Sequence, residues 1–200
     1  AIWEPGSKIQ RWSQIRQGWP NQPLRLYGAG ADSGTFDYFT EAIVGKAKAI
    51  RTDYQPTEDD NVTIKGVAGD TYAMGFLGYA YYEENKDKVK AVAIDHGKGC
   101  VLPSRETVLD GTYQPLSRPL FIYVNVKSLD RPEVQAFVDF YLSPAARRAI
   151  RSTGYVELPS EAYRIGQELV KRRKAGTFFM ELPAGTPLSK FIQELDKELR

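Results

Sequence analysis

The chain has 200 residues, 42% of them hydrophobic and 26% charged, with a formal net charge of +2. That is room for one large domain or two small ones, and the composition is ordinary for a soluble globular protein. The near-zero charge gives nucleic-acid binding no support, the single cysteine excludes an intrachain disulfide, and no run of about 18 apolar residues could span a membrane.

Taken in chain order, the opening Ala1-Ile2-Trp3-Glu4-Pro5 reads as the end of a helix. With no signal peptide visible, that start suggests a cut precursor or a deliberately shortened chain. Trp12, Ile15 and Trp19 give a loose helical or irregular stretch that Asn21-Gln22-Pro23 breaks. Leu24-Arg25-Leu26-Tyr27 alternates as a strand should. Gly28-Ala29-Gly30-Ala31-Asp32-Ser33-Gly34 is a loop. A helix follows from Thr35, with Phe36, Phe39 and Ile43 on one face and Gly45 as its stop. Thr57-Glu58-Asp59-Asp60 places acids at the start of a second helix running to about Val67, where the helix dipole favours them.

Beyond that helix, Gly75 to Tyr82 is aromatic-rich and reads as a strand, with another short strand at Lys90 to Ile94. Asp95-His96-Gly97-Lys98-Gly99 reads as a polar turn, so His96 is a poor catalytic candidate. Neither His96 nor Cys100 has a partner at metal-ligand spacing, and no zinc site is expected. Ser104 to Leu109 makes one or two helical turns. Leu120-Phe121-Ile122-Tyr123-Val124 is the most apolar run and predicts a buried strand. The last third is helical. Pro132 opens one helix with Val134, Phe137, Val138 and Tyr141 on a face, and Ser160 can cap another through about Lys174. Thr186 and Pro187 open the final one, with a stripe of Leu188, Phe191, Ile192, Leu195 and Leu199. The basic run Lys171-Arg172-Arg173-Lys174 suits a solvated helix end. Alternating strands and helices followed by a helical tail predict an α/β fold.

One segment carries chemistry: strand, Gly-rich loop, Ser33-Gly34-Thr35, helix. A helix start has backbone N–H groups without partners and partial positive charge. Gly34 lets a ligand approach the backbone, and Ser33 and Thr35 add hydroxyls, so an oxyanion could sit there without a lysine. The same loop could equally serve only to turn the chain. It is not a Walker A loop, because Gly34 is followed by Thr35-Phe36. It is not a dinucleotide fingerprint, because Gly28, Gly30 and Gly34 miss the spacing and no second βαβ unit is predicted around them. No nucleophile elbow is present. A bound dianion would benefit from an arginine fork, and Arg51 is the candidate, with a surface ion pair as the alternative reading. A carboxylate nearby could accept the proton of a monohydrogen phosphate and repel sulfate.

The stretch Leu26 to Glu41 resembles the anion-loop motif of the periplasmic phosphate-binding proteins that serve Pst-type ABC transporters. Arg51-Thr52-Asp53-Tyr54 with Glu58-Asp59-Asp60-Asn61, then Gly75 to Tyr82, then Pro115 to Val124 match further blocks of that family in order. The resemblance implies a periplasmic-binding-protein-like (type II) two-lobed α/β fold with the anion between the lobes and one lobe incomplete. It divides the chain into residues 1–117, the anion-binding lobe, and 118–200, part of the other. It implies that Ser33, Gly34 and Thr35 donate to inorganic phosphate and that the partners are ABC transporter permease subunits. The expected location is periplasmic or at the cell surface, with no cofactor, metal, nucleic acid or catalysis. Relatives carry an Arg and an Asp where this chain has Ala29 and Ala31, so Arg51 is an inference and not a carry-over. The family's N-terminal segment of donors has no counterpart here, so phosphate binding by these residues alone is expected to be poor, with apolar surface exposed after Pro119. A competing reading is a truncated interaction or scaffold protein of this fold that binds no ligand. A phosphatase reading rests only on Asp59 and Asp60, which read as helix-start acids.

Overall fold

Pro23 ends the irregular N-terminal stretch, and the chain enters strand β1 (Arg25–Ala29), which buries Leu26, Gly28 and Ala29. Ser33 then starts helix α1 (Gly34–Val44), and Gly45 stops it with φ +86°, a left-handed conformation that favours glycine. Strand β2 (Gln55–Thr57), helix α2 (Asp60–Ala68), strand β3 (Ala73–Phe76) and helix α3 (Tyr79–Glu84) follow. The order in the sheet is β2-β1-β3, and β1 is parallel to both neighbours, with Tyr27 opposite Gln55 on one side and Gly75 on the other. Two βαβ crossovers therefore frame the loop after β1, where the sequence predicted no second unit. The strand that completes it, β2, has only three residues and contains Pro56, too short and irregular to register as a strand pattern.

The computed structural model describes residues 1–177 and 182–200. These fall into two compact units, Ala1–Val92 and Ala93–Arg200.

The core of the first unit is aromatic. Phe39 of α1 stacks on Phe76 of β3 at 4.0 Å, and Trp3 meets both rings edge-on, at 5.5 and 5.2 Å. Each such burial is worth about 1.5–3 kcal/mol, with about 0.5–1.5 kcal/mol more per ring pair. Gly28 makes the packing possible, since a Cβ there would lie 2.3 Å from the Phe76 ring. Trp3 corrects the expectation of a helix end at residues 1–5: the segment is a bend that drops Trp3 into the core. The strand expected over Gly75 to Tyr82 stops at Phe76. Gly78 interrupts it, and Tyr79–Glu84, with the helix formers Ala80, Glu83 and Glu84, turns helical.

In the second unit, β4 (Ile94–Asp95) and β5 (Cys100–Val101) form a hairpin around His96. Asp95 Oδ1 accepts hydrogen bonds from the N–H groups of Gly97 and Gly99, the polar turn that was expected. The pairing begins only at Ile94, so residues 90–93 are not the strand predicted there. Ser104 caps α4 (Arg105–Leu109) through a capping box with Thr107. The buried strand predicted at 120–124 is not found: the run is irregular, Leu120 and Tyr123 are 56% and 80% exposed, and Phe121 meets the Phe191 ring at 6.2 Å. An apolar run becomes a buried strand only where neighbours supply a ladder and a cover.

The tail is helical as expected: α5 (Pro132–Tyr141), α6 (Pro144–Ser152), α7 (Ser160–Lys171) and α8 (Leu188–Lys197). Val138 and Ile165 are its deepest side chains. Two details differ. Ser160 is the first residue of α7 and Pro159 its cap, and Phe137 stands exposed off the predicted face of α5. The basic run at the end of α7 is neutralised: Arg172 pairs with Glu168, Arg173 with Asp130 and Lys174 with Glu198.

Candidate functional site

Each of the three parallel strands ends in a helix start. Ser33 follows β1, Asp59 follows β2 and Gly78 follows β3, so the N-termini of α1, α2 and α3 gather at the carboxyl edge of the sheet. Because β1 is central, its two crossovers lead to opposite sides of the sheet. Such a switch point is where open α/β sheets bind ligands. The Ser33-Gly34-Thr35 segment lies there.

Ser33 has extended backbone (φ −95°, ψ 130°), and its Oγ accepts from the Thr35 N–H at 3.1 Å. The Asp37 N–H bonds the Ser33 carbonyl at 3.2 Å. Among the described residues no hydrogen bond takes the N–H of Gly34 or Phe36, and the Ser33 hydroxyl hydrogen is still available to donate. Gly34 is exposed, and Ser33 and Thr35 are half-buried. The arrangement can present backbone and hydroxyl donors to an oxyanion at the positive end of α1.

The loop is held by the connection from β2 to α2. Tyr54 Oη donates to the Ala29 carbonyl at 3.0 Å, the Gly30 N–H donates to the Thr57 carbonyl at 2.9 Å, and the Asp32 N–H donates to Glu58 Oε1 at 3.4 Å. Burial, with the nearby Glu58 charge, pushes the Tyr54 hydroxyl up from its ordinary pKa and keeps it a donor. Asp59 caps α2 by accepting from the Asn61 N–H at 2.9 Å. Asp60 stands beside it, its carboxyl shifted upward by burial and then by the Asp59 charge, against a lowering hydrogen bond from the Gly78 backbone. Asp59 and Asp60 are thus the helix-start acids that the sequence suggested, whereas Glu58 turns to the loop.

Arg51 is brought elsewhere. Its side chain is 3% exposed. Nε and Nη2 fork onto Asp53 at 2.6 and 2.8 Å, and Nη1 donates to the carbonyls of Ile2 and Ile9 at 3.0 and 2.8 Å. Its described hydrogen bonds run to residues 2–9 and Asp53 and none to residues 33–35. Arg51 raises its own pKa through this pairing and, more strongly than Gln10, holds the Asp53 carboxyl well below the usual carboxylate range. Tyr54 and Glu58 are the contacts that sequence reasoning missed. The one trace of them in the sequence is Gly30 itself, whose missing side chain leaves the place that Glu58 takes, since a Cβ there would lie 2.0 Å from Glu58 Oε1.

The chain belongs to the PBP superfamily: the model of the PBP superfamily domain matches residues 6–145. In an alignment of 197 residues that covers 94% of this chain and 58% of the other, it is 50% identical to protein SphX of a Synechocystis strain. It is 35% identical over 159 residues to the phosphate-binding protein PstS of Staphylococcus haemolyticus, covering 78% of this chain and 49% of that one. The chain thus spans about half the length of these curated relatives. A solved structure described as a possible phosphate binding protein from Planctomyces limnophilus is 44% identical and superposes with a TM-score of 0.72, covering 87% of this chain and 62% of that one.

Proposed function

We propose that this chain binds inorganic phosphate at the start of α1 through Ser33, Gly34 and Thr35, as part of a solute-binding protein that hands phosphate to the permease subunits of a membrane ABC transporter. The supporting observation is the pair of open N–H groups, Gly34 and Phe36, at the switch point of a parallel sheet in a PBP domain. The names of the relatives point to the same anion. Delivery to a transporter is supported by the likeness to relatives that are phosphate-binding proteins, and with it come a periplasmic or cell-surface location and a binding role without turnover. Arg51, expected as the cation of the site, is proposed to act on it only indirectly, by fastening Asp53 and residues 2–9 beside Tyr54, whose hydroxyl holds the loop at Ala29. The division into lobes at 117/118 is proposed with it.

The test is a titration of the chain with inorganic phosphate, followed through backbone amide resonances. Shifts concentrated at residues 33–36 are expected. Saturating phosphate that leaves those resonances in place would sink the proposal. A second reading, an interaction protein of this fold that binds no anion, is favoured by one observation: the described contacts of Arg51 lead away from the loop. The same titration separates the two.

A further inference from the structure

The three bonds that hold the anion loop differ in kind. Those at Ala29 and Gly30 are neutral, but the one at Asp32 brings the Glu58 carboxylate onto a loop amide, at 3.4 Å. Glu58 is exposed, and among the described residues no cation pairs with it. Gly30 leaves room for it, since a Cβ at Gly30 would lie 2.0 Å from Glu58 Oε1. Its φ is outside the left-handed region, so the need for glycine there comes from the space Glu58 takes and not from the backbone. Asp32 is two residues before Gly34, at most about 7 Å of chain. A carboxylate and a bound phosphate that close together repel each other wherever the phosphate turns no proton to the carboxylate.

Resting on the reading of residues 33–35 as a phosphate site, we propose that Glu58 holds down the affinity of that site for the anion through its charge. Its carboxylate sits on the Asp32 amide, beside the donors of residues 33–36 and not on them, and opposes an arriving phosphate unless it swings away. The side chain is exposed and has no ion pair among the described residues, so solvent can take its carboxylate at little cost. Glu58 thereby sets how tightly the site holds phosphate, where a purely structural role would leave affinity to Ser33, Gly34 and Thr35 alone.

The experiment compares the chain with its Glu58→Gln and Gly30→Ala variants, each titrated with inorganic phosphate at fixed pH and at low and high salt, and read at the amides of residues 33–36. Glu58→Gln is expected to tighten binding by roughly threefold or more at low salt, with the gain shrinking as salt screens the charge. Gly30→Ala, which displaces the carboxylate, should give a similar gain, and the double variant should be no tighter than Glu58→Gln. If Glu58→Gln binds phosphate no better than the parent while those amides still respond, the inference is wrong and the phosphate site stands. If the amides respond in no variant, the phosphate site itself is wrong and the inference falls with it. Should Gly30→Ala fail to fold, Glu58→Gln and its salt dependence still decide the outcome.

Discussion

Replacing Arg51 with alanine separates a structural role from a ligand role. The guanidinium is 3% exposed and donates to two backbone carbonyls, Ile2 and Ile9, which fasten residues 2–9 and with them Trp3. Two hydrogen bonds from a charged donor, at about 1.5 kcal/mol each, amount to about 3 kcal/mol. The pair with Asp53 adds little, because that carboxylate is 51% exposed and solvent screens it; an exposed pair contributes at most about 1 kcal/mol. Arg51→Ala should therefore cost about 3–4 kcal/mol, a large share of the roughly 5–15 kcal/mol that stabilises a typical domain. Urea unfolding followed by tryptophan fluorescence measures the loss, and Arg51→Lys, which keeps the charge without the fork, should recover only part of it. A loss below about 1 kcal/mol, together with a tenfold or greater fall in phosphate affinity of the folded variant, would refute the strut and return Arg51 to the role of ligand.

Three further outcomes follow from the same contacts. Asp53 is held below its unfolded pKa of about 3.9, so the stability it contributes is fully present above that pH and is lost as pH falls through the depressed folded value. Acid unfolding of Asp53→Asn should accordingly be shallower than that of the parent. Gly28→Ala should destabilise the first unit by about 1–3 kcal/mol in thermal or urea unfolding, because the new methyl meets the Phe76 ring at 2.3 Å. Ser33→Ala should remove the cap of α1, lowering stability by about 1 kcal/mol, and weaken phosphate binding in the same sample.

Much of the first unit was legible because its signals are local. Ser33 before a helical pattern, Gly45 after it and Asp59 before the next each act on neighbouring residues, and each was found where it was expected. What was not legible depends on distant partners. Trp3 is core only because Phe39 and Phe76 come to it, and residues 1–5 alone resemble a helix end. The run 120–124 has the composition of a buried strand, yet its backbone is irregular and Leu120 to Tyr123 are exposed. At the site, the Gly-rich loop and the helix start that Ser33 caps could be read from their own residues. The attachment of Arg51 to Ile2 and Ile9 joins positions more than forty residues apart, and no spacing rule announces it.

The loop after β1, all three parallel strands and the helices that start at their ends lie within residues 25–84, inside a unit that closes at Val92. During synthesis this stretch precedes the helical tail, and among the described residues its sheet takes no strand from beyond Phe76. The loop after β1 is thus assembled while the helical tail is still being made. Errors in the tail, including collapse of its exposed apolar run onto other chains, would then strike a molecule whose loop is already built, and partially folded species should retain that loop when the tail is still open to proteases.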